Sequence, residues 1–133
     1  MTITAQDLYN YTKCAHRVYL DEHGDPAERS EVSEFVRMLW EMGLQTEREH
    51  LAALAGVPYE DLSALPIEAA VKQTTELMEK GAALIYQGAI RAGDWLGRPD
   101  LLHRRDDAAS KFGAWYYEPI DIKAGRGWEL RDG

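Results

Sequence analysis

The sequence predicts an α/β domain in which helices come first and a three-stranded meander follows. Three observations carry that prediction. Apolar residues recur at helical spacing between Glu28 and Leu54 and again between Pro66 and Lys80, as expected of helices with one buried face. Beyond Ala83 the pattern shortens to the two-residue alternation of strands, clearest from Trp115 to Lys123. A chain of 133 residues, 45% hydrophobic and with 4 Trp, 7 Tyr and 2 Phe, suffices for the core of one domain. That composition excludes a disordered or low-complexity chain.

Each element has a local reason. Residues 4–12 are expected to form a short helix, with Thr4 as N-cap and Leu8 and Tyr11 on one face. Cys14 to Leu20 is expected to be helical too, and Asp21 to Pro26, with Gly24 and Pro26, a turn. The long helix is expected from Glu28 to Leu54, with Ser30, Ser33 and Glu34 offering caps. Val32, Phe35, Val36, Leu39 and Met42 form its buried stripe, joined by Trp40. The stripe then turns polar at Gly43, Thr46, Glu47 and His50. A buried carboxylate is costly unless paired or bound to metal, so Glu47 stands out. Gly43 costs a helix about 1 kcal/mol relative to Ala, and a close neighbouring backbone would account for it.

Gly56-Val57-Pro58 ends that helix. Pro66 to Lys80 is the next, with Ile67, Ala70, Val71, Thr74, Leu77 and Met78 inside and Gly81 as its stop. Three strands are expected: Ala83 to Ile90, Asp94 to His103 with an irregularity at Pro99, and Trp115 to Lys123. A polar loop from Arg104 to Gly113 joins the last two, and Ala124-Gly125-Arg126-Gly127 breaks the third.

Charge and cysteine content narrow the function. The net charge is −8, and residues 1–90 hold 7 Lys/Arg against 15 Asp/Glu. Such a chain is no general nucleic-acid coat, although a local site remains open to it. Cys14, the single cysteine, can form neither an internal disulfide nor a cysteine-only metal site, which points to a reducing, cytoplasmic setting. No membrane span and no signal peptide are evident, so no membrane partner is expected.

Alternation in the third strand puts Asp121 and Lys123 on one face with Tyr117 and Pro119, and Ile120 and Ile122 on the other. Asp100 is expected alongside, across the hairpin, and Glu47 reaches in from the long helix. Three carboxylates and a lysine admit two readings. One is a network of structural ion pairs. The other is a hydrolytic site in which carboxylate oxygens, with the Ile122 carbonyl, hold Mg²⁺ or Mn²⁺ and lysine steadies a phosphate or a water. Glu118 has the opposite parity and is excluded as a ligand.

Among the remaining residues, Cys14 reads as a buried small hydrophobe and His16 and Arg17 as surface groups. His103, Arg104 and Arg105 read as a solvated turn within reach of a phosphate. Gln87 reads as a core-edge hydrogen bonder that could also face the site. Trp95, Trp115, Tyr116 and Tyr117 read as packing rather than as base-stacking groups.

Gly97-Arg98-Pro99-Asp100-Leu101-Leu102, followed by Ile120-Asp121-Ile122-Lys123-Ala124-Gly125, resembles the signature of the PD-(D/E)XK nuclease superfamily, RecB-like branch. Gly43 and Glu47 match the form of its helical motif. The segments Asp7-Leu8-Tyr9-Asn10-Tyr11 and Cys14-Ala15-His16-Arg17-Val18-Tyr19-Leu20-Asp21 are similar to the opening of bacterial RecB-like nucleases. The matches span residues 3–126.

The resemblance implies a restriction-endonuclease-like core carrying extra N-terminal helices. It implies Glu47, Asp100 and Asp121 as metal ligands with the Ile122 carbonyl, and Lys123 as the catalytic lysine. The implied activity is Mg²⁺- or Mn²⁺-dependent hydrolysis of nucleic-acid phosphodiester bonds, DNA rather than RNA, in DNA repair or processing. Arg98, Arg104, Arg105 and Arg126 would guide the backbone. The family core continues with a helix and a strand that are missing after Lys123, so residues 1–133 are expected to be an N-terminal part of a longer RecB-like domain. An iron–sulfur cluster, held by four cysteines in some relatives, is not expected. The incomplete sheet leaves an edge through which two chains could pair. The rival expectation is an inactive module of the same fold that binds nucleic acid or protein.

Overall fold

A computed structural model describes residues 1–54 and 56–123. Ala124 to Gly127, and with them the expected strand break and Arg126, lie outside the described residues. The chain is α/β, with four α-helices and two mixed sheets among the described residues.

The N-terminus is organised by local chemistry. β1 (Ile3–Thr4) runs into α1 (Ala5–Lys13) through a capping box. Thr4 Oγ1 accepts from the Asp7 N–H at 3.2 Å, and the Asp7 carboxylate accepts from the Thr4 N–H at 2.8 Å. Cys14 separates α1 from α2 (Ala15–His23). It is exposed rather than buried, because it lies in the extended link between two helices and not on a packed face. α2 runs into the segment expected to turn, closing with the Gly24 N–H on the Leu20 carbonyl. A single 3₁₀ turn over Pro26–Glu28 follows.

α3 (Glu34–Ala53) therefore starts later than Glu28. Its N-cap is Ser33, whose hydroxyl accepts from the Val36 N–H at 3.2 Å. The expected buried stripe is a larger departure. Phe35 is 64% exposed, Leu39 47% and Met42 52%, and Trp40, expected in the core, is 59% exposed. The buried contacts of α3 lie further along, where Leu51 and the following Leu54 pack against Leu84, Tyr86 and Leu101 of the sheet. Nor does a neighbouring backbone explain Gly43: a Cβ there would meet nothing within 4 Å.

The larger sheet has the order β2 (Glu60–Asp61), β3 (Leu84–Tyr86), β6 (Leu101–Arg105), β7 (Tyr116–Ile120). β2 is parallel to β3, and the other pairs are antiparallel. A smaller sheet sets β5 (Trp95–Gly97) between β1 and β4 (Ile90–Ala92). The first two expected strands thus each divide. Gln87, at φ +56°, turns the chain out of β3, and Arg98-Pro99-Asp100 separates β5 from β6. The third ends at Ile120, so Asp121 and Lys123 follow the strand instead of lying in it.

α4 (Ile67–Lys80) covers the other sheet face and ends as expected at Gly81, which is left-handed at φ +78°. Its Leu77 joins Leu62, Ile85 and Leu102 in one core cluster. Its Thr74 is buried and accepts from the Ala89 N–H at 2.9 Å, pinning the turn after β3 to the helix. Gly88 packs tightly there: a Cβ would stand 3.1 Å from Ile85, Leu102 and Thr74 side-chain atoms, which would have to give way. No helix among the described residues is long and apolar enough to cross a membrane.

Candidate active site

Strand register brings two of the four expected residues together. The β6–β7 ladder ends with Leu101 opposite Ile120. Asp100 precedes that pair and Asp121 follows it, so an antiparallel register sets them across from one another just beyond the sheet. Their carboxyls are close enough for each to shift the other's protonation. Lys123 joins through an ion pair, with Nζ 2.9 Å from Asp121 Oδ2, and its side chain is 80% exposed.

The two carboxyls differ because their surroundings differ. Asp100 is half-buried, and both its oxygens accept: Oδ2 from the Ile122 N–H at 2.7 Å and Oδ1 from the Gln87 side-chain amide at 3.1 Å. Burial, foremost, and then the neighbouring Asp121 carboxyl push the Asp100 carboxyl up to about 6, against the pull of the Ile122 N–H. The negative charge of Glu47 pushes the same way. Asp121 is held below the usual carboxylate range by Asp100 and then by Lys123. Lys123 is raised by Asp121. The Asp100 carboxyl is thus shifted up and the Asp121 carboxyl down.

Glu47 arrives from α3, one turn before Leu51, because residues 47, 51 and 54 share a helix face. It accepts from the Tyr86 hydroxyl at 2.7 Å. Burial and this bond hold the Tyr86 phenol well above its ordinary range. Tyr59 packs edge-on against the Tyr86 ring. Beside them lies a cleft of about 530 Å³ whose lining includes Arg48, Tyr59, Asp61 and Tyr86.

Crowded carboxylates suit a hard divalent cation in their chemistry, since a cation would offset their mutual repulsion. Asp100 and Asp121 supply two carboxyls at one point. Glu47 is occupied by Tyr86, and among the described residues no group of three or more His, Cys, Asp or Glu side chains is placed to hold a metal. Ile122, expected to offer its carbonyl, is half-buried against the Leu84 cluster and uses its N–H on Asp100.

The expected phosphate guides have other partners. Arg98 donates to the carbonyls of Gln87 and Leu62, at 3.1 and 2.8 Å. Arg104 bonds the Gly81 carbonyl and Asp106 and lies over the Trp115 ring. Arg105 pairs with Glu118 at 2.7 Å. His50 is exposed, and His103 lies on β6 with a buried Nδ1 lacking a partner among the described residues.

Sequence reasoning missed Tyr86 altogether and left Gln87 undecided. The signal available for both was their place at the end of an apolar run broken by Gly88, next in space to the strand carrying Asp100. No family model, curated protein or solved structure matches the chain.

Proposed function

We propose that this chain is a metal-dependent nuclease of the PD-(D/E)XK superfamily, RecB-like branch, with a restriction-endonuclease-like core, hydrolysing phosphodiester bonds of nucleic acid, DNA in preference to RNA. The observation that carries the reading is the Asp100–Asp121 pair facing across the end of the β6–β7 ladder with Lys123 bound to Asp121. The helical Glu47 contributes charge to the same locus.

Asp100 and Asp121 would hold Mg²⁺ or Mn²⁺ in this reading, and Glu47 would join them on releasing the Tyr86 hydroxyl. Once bound, the ion supplies a water of lowered pKa and offsets charge on the transferring phosphoryl group. The chain's own residues do the rest. Asp121 stays ionised and orients Lys123, whose ammonium is kept protonated and exposed enough to touch a phosphate oxygen or the attacking water. Asp100 is fixed by Ile122 and Gln87, so its direction does not depend on solvent.

The test is cleavage of single- and double-stranded DNA and of RNA with Mg²⁺ or Mn²⁺. Cleavage is expected in the parent and is expected to fall by about 10²–10³-fold in Lys123→Ala, the scale of losing one group that stabilises transition-state charge. A second reading, an inactive binding module of the same fold, is favoured by the Tyr86 hydroxyl occupying Glu47. It predicts no metal-dependent cleavage and tolerance of Asp121→Ala.

A further inference from the structure

Gln87 is the one non-glycine residue with positive φ among the described residues. The left-handed region is disfavoured for a side chain such as Gln, and strain of this kind persists only where surrounding contacts over-determine it. Here they do. The Gln87 N–H donates to the Asp100 carbonyl at 2.9 Å, its carbonyl accepts from Arg98 Nε at 3.1 Å, and its side-chain amide donates to Asp100 Oδ1 at 3.1 Å. Arg98 is itself anchored on the Leu62 carbonyl at 2.8 Å. Main chain and side chain of one residue thus both grip the segment that carries Asp100.

A turn alone does not call for this residue. Glycine would adopt the same φ without strain, and Asn would tolerate it better than Gln. What Gln adds is an amide long enough to reach Asp100. With the Ile122 N–H on Oδ2 and Gln87 on Oδ1, the Asp100 carboxylate is held from two sides.

We infer that Gln87 is the positioning residue of the carboxylate pair, with Arg98 as the strut that locks its strained backbone. Gln87 acts through Asp100 and touches no substrate. The inference rests on the metal-site reading above. It also gives Arg98 a role other than contact with nucleic acid.

The experiment compares Mn²⁺ affinity by calorimetry and metal-free melting temperature in the parent chain, Gln87→Gly and Gln87→Asn. Gln87→Gly removes both the strain and the amide, so the melting temperature stays within a few degrees while Mn²⁺ binds about 10–100-fold more weakly, the usual cost of losing a group that orients a ligand. Gln87→Asn keeps a side chain suited to positive φ but shortens its reach, and it loses affinity in the same way. It serves as the reading should the glycine variant not fold. Equal Mn²⁺ affinity in the parent and either folded variant overturns the role of Gln87 and leaves the metal site standing. Absence of Mn²⁺ binding in the parent overturns the site and this inference together.

Discussion

The helical half and the sheet half of the chain place their apolar residues in opposite ways. In residues 57–123, Leu84, Ile85, Leu101 and Leu102 are each 2% exposed or less, packed between α4 on one face and the end of α3 on the other. In residues 1–54 the one fully buried residue is Asn10, and Phe35, Trp40 and Met42 each expose more than half their surface. A helix is apolar on one side because something can cover that side, and its own sequence does not contain the cover. The sheet half carries one of its two covering layers, α4, within itself and borrows only the end of α3 for the other face. Along α3, the stripe before Glu47 is exposed apart from the half-buried Val36. Asp100 and Asp121 meet just beyond the sheet, and Glu47 reaches Tyr86 where α3 first meets it.

That contrast can be broken by mutation, and Leu102→Ala is expected to have the largest effect. Leu102 is 1% exposed, and truncation should cost about 2–5 kcal/mol in urea unfolding, by lost burial and the cavity left behind. Thr74→Val, nearly isosteric, leaves the buried Ala89 N–H without an acceptor and should cost about 1–3 kcal/mol. At the other end, Leu39→Ala on α3 should change stability by less than about 0.5 kcal/mol. If Leu39→Ala proved as costly as Leu102→Ala, the helical half would be covered after all and the comparison would fail.

Between those extremes lies a pH effect at the junction. In the folded chain Asp100 is pushed up to about 6, whereas an unfolded Asp releases its proton near its ordinary value of 3.8. The folded state therefore binds more protons across that window, and metal-free stability falls as pH rises from about 4 to about 6, then levels. Asp100→Asn should flatten this decline in urea titrations run at several pH values. An unchanged slope would place the titrating group elsewhere.

How far the sequence reveals this structure follows the range of the forces at work. The Thr4–Asp7 capping box and the Gly81 stop are local, so α1 and α4 could be read to within a residue or so. The face of α3 could be read from its period, but what covers the face could not. Gly88 marked the end of β3, but the positive φ of Gln87 left no local mark, since the contacts that hold it come from Arg98 and Asp100, more than ten residues away in sequence. At the site, the approach of Asp100 and Asp121 was visible in the hairpin pattern. The Ile122 N–H was not, since a main-chain donor leaves no mark in residue identity. Likewise the Tyr86 hydroxyl on Glu47 joins residues 39 apart, beyond the reach of any local pattern.

The most direct test of the central claim, that Asp100 and Asp121 form a cation site, is Mn²⁺ calorimetry on the parent chain and on Asp100→Ala, with circular dichroism to verify that both are folded. The account predicts saturable binding in the parent and its loss in the variant. A folded parent that binds no Mn²⁺, or a variant that binds it equally well, would contradict the claim and leave the carboxylate pair as a structural contact.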